Sequence, residues 1–339
     1  MPPIAKRLRA KLGEVLRQYH LLPKGADILV AVSGGQDSVC LLQLLVWWQK
    51  QWRWRLVVGH CYHRWQVDSP DNVKQVQDLA DRWGLPFVCQ SADPIPKGEA
   101  EARNWRYQAL AELAIANHCQ FVATGHTLSD RAETLLYNLI RGSGSRGLGA
   151  LTWMRPLAQG SEIKSEIKLV RPLLGISRQE TGAFCQALNL PIYWDRANED
   201  WHYSRNRIRL ELIPYLKTHF NPQVETVLAQ TAELLHADHT YLESLAQQFW
   251  HSHNIDEPKI DRYALRTHPP ALLSRIIRQY LEHHTGQATT YDHVAKFINL
   301  LFAPSGTQSD PFPTGLVAIV DRAHIKLKGS AMPQPEPNP

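Results

Sequence analysis

Two short stretches of this chain carry side chains arranged for chemistry. The first runs Ser33-Gly34-Gly35-Gln36-Asp37-Ser38. Its glycines let the backbone come close to an anion, with no Cβ in the way, and the hydroxyls of Ser33 and Ser38 add donors. Asp37 contradicts an anion site, because a bare carboxylate repels phosphate. A bridging Mg²⁺ removes the contradiction, since it accepts both carboxylate and phosphate oxygens. The second stretch runs Thr124-Gly125-His126-Thr127-Leu128-Ser129-Asp130-Arg131-Ala132-Glu133-Thr134. Two carboxylates beside a histidine suit metal or general-base work. Each stretch also has an ordinary reading: serine capping of a turn in the first, acidic residues favoured by a helix dipole in the second. His60 and His63 make a weak metal pair, because no further ligand pair stands nearby in sequence.

The elements around them supply the positioning. Residues 28–32 are small and β-branched apolar types, a strand buried on both faces. An amphipathic run over 38–48 predicts a helix. Strand, glycine turn and helix together aim backbone N–H groups at an anion. Further strands are predicted over 54–60, 86–90, 120–124 and 167–170. Helices are predicted over 4–20, 69–83, 99–118, 128–141 and 177–188, the last opened by a capping box of Ser177 and Glu180. This alternation implies an α/β fold with a doubly wound parallel sheet, whose ligands sit at the carboxyl ends of the strands. The Ser33 loop and the segment after Thr124 then share one edge. Residues 142–149 are glycine-rich and read as a mobile loop, and the Ser-Glu-Ile-Lys tandem within 160–168 as a surface insertion.

Past Ser204 the alternation stops. Helices are predicted over 204–220, 223–251, 269–284 and 290–302, then a hairpin from 314–320 and 323–327. The expected organisation is residues 1–203 as a nucleotide-binding α/β domain with a basic N-terminal helix, 204–330 as a mainly helical domain with a terminal hairpin, and 331–339 as a disordered Pro-rich tail.

At 339 residues, two domains are expected, and 44% hydrophobic with 20% charged residues describes a soluble globular protein. The net charge of +5 permits a nucleic-acid partner without requiring one. Most of the 11 Trp residues read as packing anchors. The five cysteines, Cys40, Cys61, Cys89, Cys119 and Cys185, are scattered and form no C-x-x-C pair, which argues against a disulfide framework or zinc ribbon and fits a reducing cytoplasm. No signal peptide or membrane span is read from the chain.

Ser33 to Ser38 resembles the SGGxDS pyrophosphate loop of the N-type ATP pyrophosphatases, and lacks the Gly-Lys-Ser/Thr ending of a Walker loop. The Thr124 stretch resembles that superfamily's G-H-x-x-x-D-x-x-E-T signature. Later segments narrow the likeness to the tRNA(Ile)-lysidine synthases. His60-Cys-Tyr-His63 is similar to that family's H-x-x-H, although Arg64-Trp65-Gln66 stands where Gly-Leu-Arg is usual. Glu101-Ala-Arg103-Asn-Trp-Arg106-Tyr107 resembles E-A-x-A-R-x-x-R-Y, and residues 141–148, with Arg141 and Arg146, resemble R-G-x-G-x-x-G-L. Arg171-Pro-Leu-Leu174, Asp195-Arg-Ala197-Asn198 and Arg205-Asn206-Arg207-Ile208-Arg209 resemble R-P-L-L, D-x-S/T-N and R-N-x-I-R in the family's order, with Ala197 in place of serine or threonine. The likeness covers most of residues 20–220.

The resemblance implies ligation of lysine to C2 of the wobble cytidine of an isoleucine tRNA with a CAU anticodon, driven by ATP and Mg²⁺. It implies catalytic roles for Asp37, His126, Asp130 and Glu133, with Asp37 and Asp130 on the metal and the base left open between Asp130 and Glu133. It implies ATP contacts from Ser33, Gly34, Gly35, Gln36, Asp37, Ser38 and Arg103, and tRNA contacts from Arg141, Arg146, Arg205, Asn206 and Arg209. The oligomeric state stays open, a homodimer included. Three rivals stand beside it. A tRNA 2-thiolation enzyme would need cysteine pairs or an iron–sulfur cluster. The basic motifs after Arg196 count against a small-molecule amide ligase. A non-enzymatic RNA-binding protein would have no use for the acidic residues.

Overall fold

The computed structural model describes residues 1–62, 69–149, 151–157, 166–193, 201 and 204–329. The chain divides into two compact units, Met1–His236 and Ala237–Pro339. Elements of the first are α1 (Pro3–Gln18), β1 (Asp27–Ala31), α2 (Gln36–Trp52), β2 (Arg55–Tyr62), α3 (Ser69–Arg82), β3 (Phe87–Ser91), α4 (Glu99–Ala116), β4 (Phe121–Thr124) and α5 (Leu128–Ile140). They continue with α6 (Ser145–Leu148), β5 (Met154–Pro156), β6 (Lys168–Val170), α7 (Arg178–Ala187), α8 (Ser204–Arg207), a π-helical turn (Ile208–Leu212), α9 (Ile213–His219) and α10 (Val224–Ser252), which runs on past the division.

The sheet has six strands in the order β3-β2-β1-β4-β6-β5. All neighbours pair in parallel except β5 with β6. β1 is central: Leu29 pairs with Val57 on one side and Val122 on the other. Ile28, Leu29 and Val30 are wholly buried, as a strand covered by helices on both faces requires. Strand order reverses between β1 and β4, so the loops leaving their carboxyl ends flank the crevice where doubly wound sheets bind ligands.

Several differences from expectation have local causes. β5 went unread because three residues ending in Pro156 carry no period, and proline is tolerated there only because the strand is at an edge. Residues 142–149, expected as a loop, include the single turn α6. The helix expected over 204–220 is broken by the π turn. Pro214 has no N–H to return to the carbonyl of Leu210, and the Ile213 amide donates instead to the Ile208 carbonyl. The compact units divide at His236 rather than near residue 203. Ile208 and Ile213 pack with Leu136 of α5, and Glu233 of α10 accepts hydrogen bonds from Tyr19 (2.6 Å), Arg131 (3.1 Å) and Trp153 (3.1 Å), which ties these segments to the first unit.

The second unit holds β7 (Lys259–Asp261), α11 (Arg262–Arg266), α12 (Pro270–Thr285), α13 (Tyr291–Phe302), β8 (Leu316–Asp321) and β9 (His324–Gly329). The expected hairpin is β8–β9, extended to three strands by β7. Its core is built on Tyr280, Phe297, Ile276 and Ile277, with Trp250 stacked on Tyr280 at 5.4 Å. Among the described residues no helix is long and apolar enough to cross a membrane, and all five cysteines are free thiols. His63 and residues 64–66, most of the Ser-Glu-Ile-Lys tandem, residues 194–200, Tyr203 and the tail from 331 lie outside the described residues.

Candidate active site

The loop after β1 is shaped by its serines and one glycine. Ser38 Oγ accepts from the Ser33 amide (3.2 Å) and donates to the Gly35 carbonyl (2.9 Å). Gly34 adopts φ +86°, and a Cβ there would lie 2.3 Å from Asn72 Oδ1, so the position demands glycine. Asn72 Nδ2 in turn donates to the Ser33 carbonyl (3.0 Å). α2 starts directly behind, and its first-turn amides have no partners within the helix. The loop after β4 comes against this one at Gly125. A Cβ on Gly125 would stand 2.9 Å from both the Asp37 carbonyl carbon and the Ser38 nitrogen. The two loops expected on one edge therefore touch, and glycine is what lets them.

Thr127 and Asp130 form a reciprocal cap at the start of α5. Asp130 Oδ2 accepts from the Thr127 amide (2.7 Å) and hydroxyl (2.8 Å), leaving Oδ1 for the site. α7 supplies what joins the loops. Arg178 donates from Nε to Asp37 (3.1 Å), from Nη2 to Asp130 (2.7 Å) and from Nη1 to Glu133 (3.3 Å). Thr181 donates its hydroxyl to Asp37. The backbone of α7 is fixed from both sides: Ser129 Oγ accepts from the Arg178 amide (3.2 Å), and Gln36 Nε2 donates to the Arg178 carbonyl (2.8 Å). Gln36, read from the sequence as an ATP contact, thus directs its amide to α7. Arg209, on the π turn, forks Glu133 with Nε at 2.7 Å and Nη2 at 2.8 Å.

These contacts set the protonation states. Burial pushes the Asp37 carboxyl above the ordinary range, and Arg178 offsets this only in part. Burial also raises Glu133 despite its fork to Arg209. At Asp130 burial is outweighed by Arg178 and the Thr127 amide, and the carboxyl falls to about 2. His126, whose Nδ1 lies 2.9 Å from Thr124 Oγ1, is held neutral: burial first, then Arg171, lowers it to about 3.

A cavity of about 150 Å³ opens beside the cluster, lined by Asp130, Glu133 and His126 and by Arg103, Arg106, Arg205 and Arg209. Arg171 is 2% exposed and donates to the Thr152 carbonyl (2.7 Å), with its Nε unpartnered. Arg103 and Arg155 lie over the Tyr107 ring at 5.2 and 4.8 Å. Burial would raise the Tyr107 phenol, but Arg103, Arg171 and Arg155 outweigh it and bring it down to about 8.

The donor set can be weighed against a divalent ion. Among the described residues three carboxylates are ion-paired to two guanidiniums, one negative charge in excess, and all the donors are hard oxygens. Among the described residues no three His, Cys, Asp or Glu side chains gather into a cage. Asp37 and Asp130, joined through Arg178, offer the one or two hard carboxylates that an ion of the Mg²⁺ kind takes before completing its shell with phosphate and water.

The chain has relatives over nearly its whole length. The PP-loop domain family matches residues 4–216. A protein of Nostoc sp. described as a tRNA(Ile)-lysidine synthase is 46% identical over 95% of this chain and 97% of its own length. Another of Synechocystis sp. is 48% identical over 92% and 95%. The chain belongs to the tRNA(Ile)-lysidine synthase family. A solved U34-tRNA thiolase of Methanococcus maripaludis overlays 68% of this chain and 78% of its own, with a TM-score of 0.57 and 18% identity, a likeness of fold alone. That structure carries a [4Fe-4S] cluster; here Cys40 and Cys185 are buried beside one another, Cys119 is buried in another part of the core, Cys61 is half-buried and Cys89 is exposed.

Of the residues this synthase family led us to expect, Asp37, Asp130 and Glu133 meet on one guanidinium, and His126 and Arg103 line the adjoining cavity. Arg205 also lines it, and its guanidinium lies 5.4 Å from the Tyr137 ring, with Arg141 5.3 Å from the same ring. Arg146 is exposed on α6, and Asn206 is buried. Arg209, read as a tRNA contact, has its fork on Glu133. Sequence reasoning missed Arg178, Thr181 and Ser129. Arg178 stands after a capping serine close behind the Arg171-Pro-Leu-Leu segment, which marks a helix start but not where its side chain reaches.

Proposed function

We propose that this enzyme, a ligase of its family, joins lysine to C2 of the wobble cytidine in an isoleucine tRNA with a CAU anticodon, in the cytoplasm. The C2 oxygen of cytosine is a poor leaving group. Attack of that oxygen on the α-phosphorus of ATP expels pyrophosphate and leaves C2 bearing an adenylate. The lysine ε-amine then attacks C2, the bond to the adenylate oxygen breaks, AMP departs, and the nitrogen loses a proton.

The residues divide this work. The loop Ser33 to Ser38 and the N-terminus of α2 receive the phosphates. Asp37 and Asp130 would hold Mg²⁺, which supplies charge neutralisation for the departing pyrophosphate. The ε-amine must lose its proton before attack, its ordinary pKa being about 10.4. Glu133 suits that step better than Asp130, because a base works best with a pKa close to the operating pH; burial raises Glu133, whereas Asp130 sits at about 2. The cavity supports lysine as the nucleophile. Its arginines suit a carboxylate, its Asp130 and Glu133 suit an ammonium, and about 150 Å³ is room enough for a slender amino acid. Neutral His126 serves as a hydrogen-bonding group beside the reacting base. Arg141, Arg146 and Arg205 are assigned to tRNA, with the Tyr137 ring and its two guanidiniums as a stacking platform for an unstacked base.

The observation that carries this reading is the meeting of the two loops through Arg178, which gathers Asp37 and Asp130 at the switch point of the sheet. The test is incubation with ATP, labelled lysine and bulk tRNA. Label in the RNA fraction, lost when Asp37 becomes alanine, is expected; RNA that stays unlabelled would overturn the assignment.

A further inference from the structure

Arg178 is bound to all three carboxylates of the site, yet its side chain is 28% exposed, so one side of it borders solvent. Its backbone is clamped by Ser129 and Gln36, and α7 is capped by Ser177 and Glu180. The side chain can therefore swing while the helix stays in place. Asp37 keeps a second partner, Thr181, and Glu133 keeps the two-pronged bond from Arg209. Asp130 keeps its Thr127 cap. Each carboxylate therefore has a partner besides Arg178. The charge balance is equally specific. Without Arg178, among the described residues, Arg209 is the one guanidinium still ion-paired to the three carboxylates, and the two surplus negative charges are those one divalent ion neutralises.

We propose that Arg178 is a placeholder cation: its guanidinium lies between Asp37 and Asp130, bars a free divalent ion from them, and gives way only when the phosphates of a nucleotide draw it off. This rests on the reading of the site as one for a metal–triphosphate. Its physical root is competition. A guanidinium on a carboxylate and an ion on the same carboxylate repel each other, and in a half-buried site that repulsion is far larger than in water. Once displaced, Arg178 is a planar fork matched to phosphate oxygens and remains within the same site. Metal and nucleotide then enter together, and an ion without phosphates finds the carboxylates taken.

The test reads metal binding with no chemistry. Mn²⁺ is titrated into the full-length protein without nucleotide and followed by electron paramagnetic resonance, and Mg²⁺–ATP affinity is measured separately. For Arg178→Gln the expected result is opposite signs: Mn²⁺ alone binds at least about tenfold tighter, and Mg²⁺–ATP about tenfold weaker. A residue that merely held the fold would weaken both together, and that outcome, or unchanged Mn²⁺ binding, overturns the proposal. Adding Asp37→Asn to the Arg178→Gln protein should abolish the gain; a gain that persists puts the ion elsewhere and also overturns it. Arg178→Lys keeps the charge but loses the fork, and should show a gain of about threefold, read alone if the glutamine variant does not fold. No gain in that variant counts against the proposal. Lysine incorporation into tRNA by the native protein tests the ligase reading independently, so the two can fail separately.

Discussion

A carboxyl held above its ordinary pKa by burial is a site where function opposes stability. Asp37 binds its proton more tightly in the folded protein than in the unfolded chain. Its ionisation therefore costs stability as pH rises from the ordinary carboxylate range through the raised value, and that cost persists at neutral pH. Asp37→Asn should abolish ATP–pyrophosphate exchange while the melting temperature at pH 7 stays level or rises. A fall of more than about 4 °C, roughly 1 kcal/mol or more for a unit this size, would show the carboxylate to be a net stabiliser. His126 has the opposite arrangement, with a folded pKa of about 3 below the ordinary 6.5. The stability this histidine contributes is present above the ordinary value and is lost as pH falls towards 3. Between pH 8 and 5 its ring proton resonances should not titrate, and a midpoint near 6.5 would remove the neutral histidine from the mechanism.

At the scale of elements, the site is an agreement among three helix starts, those of α2, α5 and α7. Gly125 is where the first two meet. Gly125→Ala places a Cβ 2.9 Å from backbone atoms of Asp37 and Ser38 that have no room to retreat. Overpacking of this kind costs about 1–3 kcal/mol and should separate Asp37 from Asp130. Pyrophosphate exchange should drop at least about tenfold, since a misplacement near 1 Å can cost more than that. Normal exchange would mean the loops need not touch. α7 rests on the box between Ser177 and Glu180, whose carboxylate also accepts from the Ser177 amide at 2.9 Å. Ser177→Ala should lower unfolding stability in urea by about 1 kcal/mol. Through the looser seat of Arg178 it should also raise the KM for ATP more than it lowers kcat.

Across the whole molecule the modest charge of +5 makes binding of a polyanion depend on where the arginines stand. Arg205 and Arg141 lie over one half-buried aromatic ring, that of Tyr137, while Arg171, Arg178 and Arg209 are turned inward to a backbone carbonyl and carboxylates. Arg205→Ala should raise the KM for tRNA and reduce the slope of log affinity against log salt by about 1. If neither quantity changes, Arg205 does not contact the tRNA. Arg209→Ala should behave differently, lowering kcat with little change in salt slope, because its loss removes the fork on Glu133 rather than a phosphate contact.

The sequence by itself determined the α/β alternation, the buried central strand, the two ligand loops and the family, because these depend on local period and on motifs contiguous in the chain. It also set Asp37, Asp130, Glu133 and His126 on one edge of the sheet, where the structure brings them together. Only the tertiary structure decided what joins them. Arg178 lies far along the chain from Asp37, and a lone arginine after a capping serine has no period and no motif to mark where its side chain reaches. The same limit applies to Arg209. Within a basic run every guanidinium looks alike, and it took the π turn forced by Pro214 to settle that this one faces Glu133 instead of solvent. Contacts between distant segments are fixed by packing and charge in three dimensions, which no window along the chain contains.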